Sequence, residues 1–358
     1  MRFAIVGCGV IAPTHAEAIA ALGAGHELVA VVDPHPERAQ AFTAVHGGTP
    51  GADLTAVLAR ADIDAVAVCT PSGTHVEIAV AALEAGKHVV VEKPVDVSVA
   101  AADRLLAAER ASGRTVTVIS QHRFDAASQT VHAAAVDGRL GRLTSGVASV
   151  AWWRTQGYYD SGDWRGTWAL DGGGALMNQG VHTVDLLLWV MGRPVEVSAR
   201  TGLLAHAGIE VEDVAVATIR FASGALGVLH GTTAAYPGLS ARLQVHGDGG
   251  SAIVDDDRLA WFHTRSTSSV EADAYGGSLS DNQADVALGP AVAGVHGPTA
   301  GADPGPLGAA HRAQYADFVD AAATGRPPRV TVAEARRTVA TITAVYASAR
   351  TGRPVEVG

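Results

Sequence analysis

The run Gly7-Cys8-Gly9-Val10-Ile11-Ala12 carries the clearest chemical signal in the chain. It has the form G-x-G-x-x-A, directly after an apolar run and directly before a segment of helical composition. Glycines at these places allow a tight turn and close approach of the backbone to a ligand. The helix that follows offers free N–H groups and the positive end of its dipole to a pyrophosphate. Asp33 closes the second apolar run, 24 residues beyond Gly9, where a carboxylate accepts hydrogen bonds from the ribose hydroxyls of an adenosine. That favours NAD over NADP. Arg38 keeps NADP open, its other reading being a solvated helix residue.

Composition supplies a second signal. Arginine outnumbers lysine 24 to 2, and the lysines are Lys87 and Lys93. A guanidinium cannot replace a compact, titratable ammonium, so a lysine kept in such a background invites a chemical role. Asparagine is as scarce, at Asn178 and Asn282. Five of the six tryptophans fall between Trp152 and Trp189, accompanied by Tyr158 and Tyr159 and interleaved with Arg154, Asp160, Asp163 and Arg165. Aromatic faces for C–H surfaces and charged groups for hydroxyls suit a carbohydrate, with Trp153 and Tyr158 as candidate ligands. The alternative is that Trp152, Trp153 and Trp189 pack in a core or an interface.

The elements that must hold these residues follow from periodicity. Phe3–Val6, Leu28–Val32, Ala65–Cys69, His88–Val91 and Thr115–Ile119 are short apolar runs separated by helical segments. Such βαβ alternation predicts a doubly wound parallel sheet, the Rossmann arrangement, over residues 1–121. From Leu143 onward, strand-like segments near 143–153, 194–204, 211–221, 225–234, 241–247 and 252–262 follow one another with few helices between. This predicts a second, α+β domain over 122–358 with a large, mostly antiparallel sheet. Residues 270–309 read as a long surface loop, and helices are expected near 310–323 and 331–350.

A length of 358 residues suits two domains. Hydrophobic content of 48% with 17% charged residues describes a well-buried globular chain without a membrane-spanning run. The net charge of −10 argues against a nucleic-acid partner. Cys8 and Cys69 are too few for a disulfide framework and read as reduced and structural. The opening MRFAIVG has no leader-like pattern, so a cytoplasmic location is expected. No metal-ligand set is read.

Two further motifs carry a family resemblance. Glu92-Lys93-Pro94 and Gly172-Gly173-Gly174-Ala175-Leu176-Met177-Asn178-Gln179-Gly180-Val181-His182 resemble the Gfo/Idh/MocA oxidoreductases. So do Thr70-Pro71-Ser72-Gly73-Thr74-His75, Trp164-Arg165 and Gly325-Arg326-Pro327-Pro328, and the resemblance covers essentially the whole chain. It implies a Rossmann domain, a second domain whose broad sheet serves a homodimer or homotetramer, and a sugar, sugar-derivative or inositol substrate. It also implies that Lys93 hydrogen-bonds the reacting oxygen, that a cis bond precedes Pro94, and that His182 takes the hydroxyl proton as hydride leaves carbon. Thr70, Pro71, His75 and Glu92 are expected to border the cofactor, with Trp164 and Arg165 beside cofactor or substrate. Ser72 and Thr74 also read as helix caps.

The chain departs from the family pattern at Asn178, where many relatives have an aspartate one helical turn before the histidine. An amide can only hydrogen-bond, so Asn178 reads as a ligand of a substrate hydroxyl. Asp185, three residues after His182, is placed to supply the missing charge or is an ordinary helix acid. Arg123, in Gln121-His122-Arg123-Phe124, reaches substrate or pairs across the domains. The functions these readings allow are a dehydrogenase, an NAD-retaining glycosidase of the same family, and a non-catalytic nucleotide-sensing regulator.

Overall fold

Runs of Val, Ala and Ile with no polar residue suit strands covered on both faces, and such runs build the first sheet. The computed structural model describes residues 1–265, 282–289 and 308–358. Six parallel strands, β1 (Arg2–Val6), β2 (Glu27–Val32), β3 (Thr49–Gly51), β4 (Ala65–Val68), β5 (His88–Val91) and β6 (Val116–Val118), lie in the order β3-β2-β1-β4-β5-β6. Strand β3 was not expected, because Thr49-Pro50-Gly51 reads as a turn. A proline is tolerated there because β3 is an edge strand and needs to pair with β2 alone.

Among the described residues the helices are α1 (Ala12–Ala21), α2 (Pro36–His46), α3 (Leu54–Leu58), α4 (His75–Glu84), α5 (Val99–Ser112), α6 (Ala126–Val136), α7 (Gln156–Tyr159), α8 (Val181–Met191), α9 (Ala284–Leu288), α10 (Gly308–Thr324) and α11 (Val332–Thr351). The chain forms two units. One comprises Met1–Gln121 together with Ser161–Gly173 and Asp303–Ala340, the other His122–Asp160, Gly174–Ala302 and Thr341–Gly358. The sequence reading assigned everything beyond residue 121 to the second domain. Two later segments return to the first, and the second of them carries apolar groups that its core needs: Tyr315 and Phe318 of α10 are fully buried with Phe3, Ile5 and Ile19. Their rings stand 5.8 and 6.4 Å from that of Phe3. Burial of such side chains stabilises by roughly 1.5–3 kcal/mol each.

The second unit is built on β7 (Leu143–Ala151), β8 (Pro194–Gly202), β9 (Val214–Phe221), β10 (Leu226–Thr232), β11 (Ala241–Gly247), β12 (Gly250–Asp255), β13 (Arg258–Thr264) and β14 (Val355–Glu356), in the order β13-β12-β11-β7-β10-β9-β8-β14. Every pairing is antiparallel except β7 with β10. The strand expected over 252–262 is in fact two, joined at Asp256-Asp257, whose φ angles of 46° and 62° are those of a tight hairpin turn. Along β9, Ala215, Ala217, Ile219 and Phe221 are buried while Val216, Thr218 and Arg220 face outward. This period of two gives the sheet one covered and one open face, and α8 packs across β7 and β11.

Of the segment expected as a loop at 270–309, α9 and the first residues of α10 are helical, and the remainder lies outside the described residues apart from the ends of α9. No described helix is long and apolar enough to cross a membrane. Cys8 and Cys69 are both free thiols.

Candidate active site

In the first unit the strand order reverses between β1 and β4, the place where an open α/β sheet leaves a crevice at its carboxyl end. The glycine-rich loop leaves β1 there. Gly7 has φ +94°, and a Cβ on it would stand 2.7 Å from the carbonyl oxygen of Cys69, so no other residue fits. The amides of Gly9, Val10 and Ile11 donate to no group among the described residues. Ile11 begins α1 without a side-chain cap. These unused donors at a helix start match what a dinucleotide pyrophosphate requires. Asp33 is buried at the end of β2, where its two carboxylate oxygens accept from the amides of Cys8 and His35, each at 2.9 Å. Each oxygen keeps a lone pair for a ribose hydroxyl. Arg38 is exposed on the first turn of α2.

The Lys93-Pro94 peptide is cis, as the resemblance implied. Glu92 was expected to touch the cofactor. It is 5% exposed instead, its Oε2 accepting the Lys93 amide at 3.0 Å and its Oε1 the Nε2–H of His15 at 2.8 Å. His15 Nδ1 lies 2.7 Å from the Tyr315 hydroxyl, which donates to it. Burial works against the charge on Glu92, but hydrogen bonds from His15 and His311 hold its carboxyl well below the usual range. Burial pushes His15 down, so it is neutral. Glu92 is therefore a brace for the lysine's backbone. His75 is 1% exposed, and its ring nitrogens sit 2.8 Å from the carbonyls of Pro94 and Thr70, so it ties two loops together. Thr70 and Pro71 remain partly exposed in the loop after β4. Neither Ser72 nor Thr74 makes a side-chain cap; the Thr74 hydroxyl donates to the Pro71 carbonyl and accepts from the Thr70 hydroxyl. Lys87 is structural too, its ammonium donating to the carbonyls of Arg60 and Ile63. Trp164 and Arg165 belong to this unit, the guanidinium 4.6 Å from the indole centroid.

In the second unit a π-helical turn at Ala175–Gly180 runs into α8 and carries Asn178 and His182. Its entry is fixed by Glu212, whose carboxylate accepts the amides of Gly174 and Leu176 at 2.9 and 3.0 Å and the Tyr346 hydroxyl at 2.9 Å. Gly174 passes so close to the Glu212 carbonyl that a Cβ would collide with it. Burial pushes Glu212 up to about 7 despite those donors. From Gly174 to Leu188 every residue is buried except Asn178 and His182.

Asp185 lies three residues beyond His182 on α8. It is buried in a two-pronged ion pair with Arg123, both contacts 2.7 Å. Beside this pair the ring of His122 meets that of His182 edge-on, centroids 5.0 Å apart. His122 Nδ1 lies 2.9 Å from Asp125 and 2.8 Å from Asp257. Burial disfavours its charge, but the two carboxylates outweigh that and push it up to about 10. The ligand atoms of His122, Asp125 and Asp257, like those of His15, Glu92 and His311, lie within 4.8 Å of one another. The His122 grouping is held by ion pairs and the His15 grouping by the hydrogen bond from neutral His15 to Glu92. Tyr158 accepts from Gln179 Nε2 at 2.9 Å, and the Trp153 ring packs on His206 and Tyr236.

A family model described as an oxidoreductase family with an NAD-binding Rossmann fold matches residues 1–120, and one for the GFO/IDH/MocA C-terminal domain matches 128–253. The chain belongs to the Gfo/Idh/MocA oxidoreductases. Among solved structures it is similar to the WlbA dehydrogenase from Bordetella pertussis in complex with NADH and UDP-GlcNAcA, with 33% identity and a TM-score of 0.86 over 100% of this chain and 98% of that one. Among curated relatives it is 29% identical to an inositol 2-dehydrogenase of Rhizobium meliloti (strain 1021), over 72% of this chain and 76% of the relative. It is also 29% identical to the D-glucoside 3-dehydrogenase of Escherichia coli (strain K12), over 63% and 68% of the two chains.

Within this Gfo/Idh/MocA chain the groups that sequence reasoning missed are His15, His122, Asp257 and Glu212. Each acts through a partner distant in sequence: His15 and Glu92 are 77 residues apart, and Glu212 reaches back 38 residues to Gly174. The one local signal lay at Glu212-Asp213, adjacent acids in an otherwise strand-like run, a place where carboxylates need buried donors.

Proposed function

We propose that the protein is an NAD-dependent dehydrogenase that takes hydride from a hydroxyl-bearing carbon of a sugar or cyclic polyol. The observation that carries this reading is the pair Asn178 and His182, one turn apart and alone in keeping surface within the buried stretch 174–188. When bound, the nicotinamide accepts hydride from the substrate carbon or returns it. His182 takes the hydroxyl proton, a task suited to an imidazole whose ordinary pKa is about 6.5. Lys93 stabilises the charge that develops on the reacting oxygen. Asn178 hydrogen-bonds a neighbouring hydroxyl without titrating. The Asp33 carboxylate favours NAD, since a 2′-phosphate would meet its negative charge.

The named activities of the inositol and glucoside relatives support the same substrate class. The outer face of the second sheet exposes Val216, Leu226 and Val228 at 47%, 60% and 44%, which supports its use as an interface between copies of the chain. Absorbance of NADH during incubation with NAD and a panel of sugars, glycosides, inositols and sugar acids tests the reading. One substrate class should give steady NADH formation, and Lys93→Ala and His182→Ala should each lower turnover by about 10²–10⁴-fold. Near wild-type turnover in both variants would sink it.

A further inference from the structure

The guanidinium of Arg154 in the second unit has no carboxylate partner among the described residues. Arg154, just after β7, is half-buried. Its Nη2 donates to Gln179 Oε1 at 3.0 Å, and its Nη1 reaches the Trp153 carbonyl only at 3.5 Å. The guanidinium carbon lies 5.1 Å from the Trp152 ring centroid and 5.4 Å from that of Tyr158. Arg154 Nε and the indole N–H of Trp152 are buried donors without an acceptor among the described residues. Arg123 of the same unit, by contrast, pairs with Asp185, and Arg242 with Asp255. Asp213 is near, because His206 contacts both it and the Arg154 carbonyl. Its oxygens are already taken by the amides of Leu204, Ala205 and His206 and by the His206 ring.

A cation partly stripped of water gains most from an anion, and here the described residues offer the Gln179 amide oxygen, a long contact to the Trp153 carbonyl and two π-faces. The surroundings lead toward the acid–base residues. Gln179 Nε2 donates to Asn178 Oδ1 at 3.3 Å, and Asn178 stands one turn before His182. We propose that Arg154 binds a carboxylate of the substrate, so that the preferred substrate is a sugar acid and not a neutral polyol. This rests on the reading of His182 and Asn178 given above. Aromatic rings over the guanidinium leave its edge as the binding surface, and that edge takes two coplanar oxygens, the geometry of a carboxylate.

Calorimetric titration of the NADH-bound full chain with D-glucuronate against D-glucose, and D-galacturonate against D-galactose, tests the assignment. In wild type at least one acid should bind about tenfold tighter than its neutral counterpart. Arg154→Gln should bring that ratio to within about twofold, and Arg154→Lys should keep part of it, because charge survives while the fork is lost. An unchanged NADH affinity and circular dichroism spectrum show that the variants are folded. Equal affinity for acids and neutral sugars in wild type, or a ratio that survives in Arg154→Gln, overturns the proposal. So does an Arg154-dependent preference for glucose 6-phosphate over every acid. NADH formation from neutral sugars that is indifferent to Arg154 overturns the anion site alone and leaves the dehydrogenase standing. Arg154-dependent acid binding without NADH formation from any acid overturns the dehydrogenase reading, and with it the claim that the acid is the substrate.

Discussion

Two histidine–carboxylate clusters, one in each unit, are built from the same groups and reach opposite states. His15 meets one carboxylate, Glu92, at 2.8 Å and is 0% exposed. Burial dominates, its pKa falls, and Tyr315 on the other ring nitrogen fixes a neutral tautomer. His122 meets two carboxylates at comparable distances and keeps some solvent contact, so the charges of Asp257 and Asp125 overcome burial and the ring stays protonated to about pH 10. The first cluster uses a neutral histidine to hold an anionic acceptor, Glu92, against the backbone amide of Lys93. The second places a cation against the ring of His182. Contact distance alone does not decide a histidine's charge; the number of facing carboxylates and the depth of burial do.

The two clusters also act on stability in opposite pH windows. His15 is held below its unfolded pKa of about 6.5, so its contribution is present above that value and is lost as pH falls. His122 is held above it, so its contribution is complete below about 6.5 and disappears as pH rises through about 10.

Breaking the Glu92 brace has the largest expected effect. Glu92→Ala leaves the His15 Nε2–H and the Lys93 amide buried without an acceptor, which should cost about 2–5 kcal/mol, read as a lowered thermal midpoint, together with reduced kcat. Glu212 offers a comparison with a single buried carboxylate and no histidine. With its pKa raised from 4.5 to about 7, its contribution is complete below 4.5 and lost as pH rises through 7. Chemical denaturation at pH 5 and pH 8 should therefore show wild type losing about 2–4 kcal/mol more than Glu212→Gln over that interval. A parallel decline in both proteins would show that three donors outweigh burial at this carboxylate.

The charged cluster is probed through its neighbour. His122→Gln removes a cation beside His182 and leaves Asp125 and Asp257 uncompensated, both of which raise the basicity of His182. The acid limb of kcat/KM should move to higher pH by up to about one unit. A limb that does not move would separate the His122 charge from the reaction. The smallest effect is expected of Tyr315→Phe, which deletes one buried hydrogen bond to His15 and should cost about 1 kcal/mol. Nitrogen-15 NMR of the His15 ring sharpens the comparison: the Nε2–H tautomer should dominate in wild type and lose its preference in the variant.

Much of the first unit was legible because its signals are local. Gly7 to Ala12 between a strand and a helix, Asp33 at the next strand end and Lys93-Pro94 after β5 each declare themselves within a few residues, where backbone sterics and hydrogen bonding do the deciding. The π-helical turn and α8 were legible as a motif, and His182 with them. Arg123 and Asp185 were not resolved, because whether a charge meets solvent, substrate or a partner depends on a contact spanning 62 residues. Strand β3 was missed because its proline is acceptable only on an edge, and edges exist only once the sheet is assembled. The sequence by itself determined the glycine-rich turn after β1, the alternating strands of the first sheet and the mostly antiparallel second sheet. Tertiary structure alone decided which histidine is neutral and which is charged, which carboxylates brace the backbone, and that Arg154 has no anionic partner among the described residues. Those outcomes are set by burial and by charges brought together from far apart in the chain.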